Sequence, residues 1–163
     1  MTSQDAARTS ENNYVSRQPT KDYNLHKHIL FTLLLGNLEP LAGKCSCEKP
    51  WLPFLEHCYL FVDKRLNQTD AESTCQSLSD YSRACHLVSI LSQVEQDFIA
   101  EGVWKHFGNR RATIGLKRVT GVFTWLDGSE MGYSAWQPGQ PGTTAVCAAT
   151  RRDTILWGDV NCQ

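Results

Sequence analysis

An α+β fold is the class this sequence predicts, and three observations carry that expectation. All seven cysteines of the 163-residue chain lie at or after Cys45, which separates a module suited to disulfide staples from a leader that has none. Within the module, Thr69-Asp70-Ala71-Glu72 and Ser92-Gln93-Val94-Glu95 are capping boxes, each opening a stretch with apolar residues at helical spacing. From Ala112 onward the apolar period shortens to that of strands. The first 44 residues are too few for a second core, so one domain is expected. Its cysteine content points to an oxidising, extracellular setting.

Along the chain, residues 1–24 mix Ser, Thr, Asn, Gln and charge without a periodic apolar face, and this composition predicts disorder. Residues 25–44 have the basic-then-apolar order of a secretory signal, with His26-Lys27-His28 ahead of Ile29 to Leu35 and small residues near Pro40-Leu41-Ala42-Gly43. A signal normally opens a chain, so this one is displaced: translation begins later than Met1, or the segment is a poor internal signal, or it is a short buried helix. The apolar run is too short for a bilayer span.

Trp51, Phe54 and Tyr59-Leu60-Phe61-Val62 suit early strands, where Cys47 and Cys58 can staple a hairpin. Asn67-Gln68-Thr69 is an N-glycosylation sequon at the start of the first helix, for which Thr69 is the expected cap and Ala71, Cys75 and Leu78 the inward face. Leu87-Val88-Ser89-Ile90 reads as a short buried segment. The second helix presents Val94, Phe98, Ile99 and Val103 as its core stripe. Ala112 to Leu116 and Val122 to Trp125 follow as strands, Asp127-Gly128 supplies a turn, and the Gly- and Pro-rich run from Gly128 to Thr144 predicts a long structured loop.

The ordered set Cys47, Cys58, Ala71, Cys75, Leu87 to Ile90, Ile114-Gly115-Leu116, Phe123-Thr124-Trp125, Gln140-Pro141, Cys147, Trp157-Gly158-Asp159 and Cys162 resembles a long-form C-type lectin-like domain spanning residues 47–163. The resemblance implies two helices, small antiparallel sheets and a ligand-bearing loop region, with Cys147 paired to Cys162 and Cys47 to Cys58. It also implies a central closing strand whose cysteine pairs with Cys75. The sequence stops at Gln163, so this strand and its partner cysteine are expected to be missing. An odd cysteine count leaves at least one thiol free or paired outside the chain. Cys75 with Cys85, and an intermolecular bond through Cys45 that links two chains, are both open at this stage. Cys45-Ser46-Cys47 is too tightly spaced for a zinc pair and has no second pair to match.

Sugar-binding members of that family hold calcium, and the sugar hydroxyls on it, with carboxylate and amide oxygens. Calcium takes six to eight oxygens. By resemblance Gln140 and Asp159 are the candidate calcium and carbohydrate ligands, whereas Gly142, Ala145 and Gly158 stand where further side-chain oxygens would be. The expected function is a secreted carbohydrate-binding module with a degenerate calcium site; the alternative is a calcium-independent module of the same fold that recognises an extracellular protein. The near balance of 16 basic and 17 acidic residues gives no reason to expect nucleic acid. Arg110-Arg111, Lys117-Arg118 and Arg151-Arg152 read as solvated basic pairs unless the fold gathers them. No serine elbow, zinc helix or phosphate loop assembles the available Ser, His and carboxylate residues into an active site, so no enzyme is expected.

Overall fold

Tyr14 and Val15 are consecutive residues buried in two different apolar clusters, and that alternation defines the centre of the molecule. They belong to strand β1, Asn12–Pro19, in a computed structural model that describes residues 12–19, 47–81 and 83–162. After β1 come β2 (Leu52–Phe54), β3 (His57–Leu66), helix α1 (Gln68–Ser77), β4 (His86–Leu87), helix α2 (Gln93–Phe107), β5 (Ala112–Val119), β6 (Val122–Trp125), β7 (Cys147–Thr150) and β8 (Trp157–Val160). The strands form one eight-stranded sheet in the order β2-β3-β1-β5-β7-β8, with β4 on β1 and β6 on β5. Every pairing is antiparallel except β1 with β5.

The strand β1 corrects the expectation of disorder for residues 12–19; the rest of residues 1–24 lies outside the described residues. It pairs with β3 from Asn12↔Leu66 to Pro19↔His57, with β5 at Asn13↔Ala112 and Tyr14↔Thr113, and with β4 at Ser16↔Leu87 and Arg17↔His86. The centre of the sheet, where a closing strand was expected to be missing, is therefore filled, and backbone groups on both sides of β1 have partners. Composition misleads because Asn13, Ser16 and Gln18 are polar yet buried. Long-range contacts compensate: Arg17 Nη1 donates to Ser89 O at 2.7 Å and to Glu95 Oε1 at 3.0 Å. Residues 25–44, with the expected signal, and Cys45 lie outside the described residues.

Each helix covers one cluster. Ile99, Val103 and Phe107 of α2 pack with Val15, Ile114, Leu116, Trp125 and Trp157, while Ala71 and Cys75 of α1 pack with Tyr14, Cys85 and Leu87. Gly102 lets α2 approach β3 closely: a Cβ there would stand 2.0 Å from Phe61 Cζ. Ser92 caps α2, accepting from Glu95 N–H at 3.2 Å. The α1 cap is Asn67, not Thr69: its Oδ1 accepts from Asp70 N–H at 2.8 Å, so the helix begins earlier than the capping box indicated. Glu72, freed from that box, accepts instead from Leu87 N–H at 2.8 Å and meets His86 Nδ1 at 2.6 Å, tying α1 to β4. Val94 and Leu78, assigned to the inward faces, are 58% and 44% exposed: α2 turns Glu95 and Gln96 inward in place of Val94, and Leu78 is the C-cap just past the end of α1, whose Ala71 and Cys75 are buried as expected.

Candidate functional site

The long loop between β6 and β7 is fastened at its root by Trp157. This ring is fully buried, contacts Trp125, Tyr133 and Trp136 edge-on at centroid distances of 5.4, 5.8 and 5.7 Å, and donates through Nε1 to Gln96 Oε1 at 2.8 Å. Its backbone N–H donates to Ala135 O at 2.8 Å, and its carbonyl accepts from Gln137 N–H at 2.9 Å. Trp157 and Trp136 are thus anchors of the loop. Tyr133 OH adds a bond to Gln93 Oε1 on α2 at 3.0 Å. Asp127 holds the start of the loop: its carboxylate accepts from Ser89 Oγ at 2.5 Å and from Ser129 N–H at 3.0 Å. Burial pushes the Asp127 pKa up, but these hydrogen bonds and the charge of Arg17 outweigh it and leave the carboxyl below its ordinary range.

Gln140 and Asp159, the two residues singled out by motif, are brought together. Gln140 precedes Pro141 across a cis peptide, and its Oε1 accepts from Asp159 N–H at 3.1 Å. That bond joins the loop to β8 and occupies the carboxamide oxygen. The Asp159 carboxylate is only 7% exposed and faces Gly142, where a Cβ would lie 3.3 Å from Oδ2. A Cβ at Gly158 would lie 2.6 Å from Arg151 Cδ, so the missing side chain makes room for an arginine stem.

Sequence reasoning missed Arg118. From β5 its Nη2 donates to Gly142 O at 2.5 Å, its Nε donates to Ala145 O at 3.1 Å, and Nη2 lies 4.0 Å from Asp159 Oδ2. The guanidinium also sits 4.6 Å from the centroid of the Phe123 ring, a cation–π arrangement. Two loop carbonyls and a carboxylate, oxygens of the kind a hard cation attracts, thus converge on a fixed side-chain cation. The only available signal was indirect: Asp159, left without neighbouring acids, needs a positive partner, but its distance from Arg118 in sequence hides which one.

This donor set is a poor fit for calcium. It offers one carboxylate, one carboxamide oxygen already bonded to backbone, and carbonyls already bonded to a guanidinium. Among the described residues no three His, Cys, Asp or Glu side chains converge on a point that could hold a metal ion. Disulfides join Cys147 to Cys162 and Cys47 to Cys58, pinning β7 to the end of β8 and the β3 edge to the segment before β2. The basic pairs do not form one patch. Arg110 makes a bidentate contact with Asp63 at 2.7 and 2.8 Å, Arg118 turns into the loop, and Arg111 is held below its ordinary pKa by burial and then by the charges of Arg151 and Arg152.

The sheet, the loop and the paired cysteines define a C-type lectin-like recognition module. The family model described as the lectin C-type domain matches residues 64–163, and the chain belongs to that family. It is 36% identical over 121 residues to the low affinity immunoglobulin epsilon Fc receptor of Mus musculus, covering 72% of this chain and 34% of the receptor. It is 33% identical over 121 residues to dromaiocalcin-1 of Dromaius novaehollandiae, covering 71% of this chain and 83% of that protein. The crystal structure of human lithostathine superposes with a TM-score of 0.66 at 27% identity, covering 72% of this chain and 83% of the other. The chain therefore spans about a third of the receptor and most of the other two. Family membership makes it a non-catalytic recognition module. Among the described residues no helix is long and apolar enough to cross a membrane.

Proposed function

We propose that this chain is a calcium-independent, extracellular protein-recognition module, whose binding surface is the loop region around Arg118 and Asp159. The single observation carrying this reading is Arg118, whose guanidinium takes the loop carbonyls and lies against the carboxylate that a calcium site would need free. A resident cation of this kind orders the loop without an added ion. Gln140 then acts as a loop tether, bonded to the Asp159 backbone, in place of a sugar ligand.

The neighbouring surface favours a protein partner over a glycan. Val119 and Val122 face each other across the β5–β6 hairpin and are 49% and 65% exposed; Val146, 39% exposed, follows Ala145 and accepts from Arg118 N–H through its carbonyl. Exposed apolar side chains beside an ordered loop suit the centre of a protein interface. The name of the mouse relative, a receptor for the Fc of immunoglobulin epsilon, describes a protein ligand for that family member. The exposed sequon at Asn67 would carry a glycan at the head of α1, an element separate from the β5–β6 hairpin that carries Val119 and Val122.

The test is to screen the folded chain against an array of extracellular proteins and against a glycan array, each with calcium and with chelator. Protein binding that survives chelation and is lost in Val122→Asp supports the proposal. Glycan binding that requires calcium and is lost in Asp159→Ala contradicts it.

A further inference from the structure

The α1-side core contains two cysteines outside both disulfides, Cys75 and Cys85, and each is 0% exposed. They share one buried cluster with Tyr14, Ala71 and Leu87. Cys75 is fixed by the first helix, with Ser16 Oγ of β1 at 2.7 Å from its sulfur. Cys85 is fixed by its backbone N–H, which donates to Ser79 Oγ at 2.8 Å, and by the Glu72 bridge to the next residues. Ser16 cannot form a disulfide, so Cys85 is the thiol within reach of Cys75 among the described residues.

We propose that Cys75 and Cys85 are a third disulfide site, which staples α1 to the segment entering β4 and leaves β1 held by non-covalent contacts alone. The surroundings favour a bond over two thiols. The remaining half-cystines, Cys47–Cys58 and Cys147–Cys162, place the chain in an oxidising setting. The neighbouring Cys85, together with burial, pushes the Cys75 thiol above its ordinary range, so a thiol left reduced in the closed core exchanges slowly. The chemistry is exchange with a low-molecular-weight disulfide of the glutathione class. Its S–S bond breaks, the Cys75–Cys85 bond forms, and the two protons leave on the two small thiols released.

The experiment uses the full chain, folded in a glutathione redox buffer, then unfolded in guanidinium without reductant, alkylated with iodoacetamide and digested with trypsin. Cleavage after Arg83 separates Cys75 from Cys85 unless they are bridged. The expected result is a linked pair of peptides, unalkylated at both positions, that separates on reduction. Alkylation of both cysteines, or a bond from either to Cys45 or to a second chain, overturns the proposal. Because the labelling is done on the unfolded wild-type chain, the result does not depend on a variant's ability to fold.

Discussion

Ser16 Oγ lies 2.7 Å from Cys75 Sγ, so the central strand meets the first helix through a hydroxyl and a thiol. Around that contact Tyr14 and Val15 enter opposite cores. The strand therefore closes both sides of the sheet although its own sequence is mostly polar.

This contact predicts a cross-link. In Ser16→Cys the new thiol should bond to Cys75, joining β1 covalently to α1 and leaving Cys85 open to alkylation after unfolding. Peptide mapping without reductant checks it. Continued pairing of Cys75 with Cys85 alone would show that β1 does not hold this register.

Arg17 carries much of the strand's attachment. Its guanidinium meets Glu95 at 3.0 Å with side chains 10% and 6% exposed, and Tyr59 OH donates to the same oxygen at 2.6 Å. Arg17→Met should cost about 3–5 kcal/mol, the usual penalty for leaving a buried carboxylate without its charge partner. Urea unfolding measures it, and a loss under about 1 kcal/mol would mean that β1 contributes little to the closed fold.

How much of this was legible in sequence depends on where each residue's partners lie. The second helix was legible because Ser92 and its stripe are local signals, and the late strands because Ile114, Leu116, Phe123 and Trp125 alternate. The first strand was not, because Ser16, Arg17 and Gln18 read as solvated until Cys75, Glu95 and the strand partners are in place. In the loop, Gln140 and Asp159 stood out by motif. Arg118 did not, since nothing near it in sequence reveals that Gly142 and Ala145 present carbonyls to it.

Acid should weaken the fold through His57. Burial, reinforced by the charge of Arg17, lowers its pKa from the ordinary 6.5 against the opposing pull of Glu95, Glu56 and Asp127. The folded imidazole stays neutral while the unfolded one takes a proton, so stability falls as pH drops below about 6.5 and levels off below the folded value. Asp127, with a lowered pKa, adds stability above the ordinary carboxylate value that is lost only at still lower pH. Urea midpoints from about pH 8 down to about pH 2 test both. His57→Gln should flatten the first decline and leave the second.

Removing the resident cation should loosen the loop. In Arg118→Ala the carbonyls of Gly142 and Ala145 lose their donor and Asp159 loses its nearby charge, at a cost of about 1–3 kcal/mol. Hydrogen exchange should accelerate at residues 140–146 and at Asp159 while the α2 core stays protected. Uniform acceleration across the chain would assign Arg118 a general stabilising role.

The claim that Arg118 makes the module independent of calcium is tested most directly by calorimetric calcium titration of the folded, oxidised chain. The account predicts no saturable heat up to millimolar calcium and no shift in unfolding midpoint. Saturable binding at one ion per chain, abolished by Asp159→Ala, would contradict it and return Gln140 and Asp159 to the role of calcium ligands.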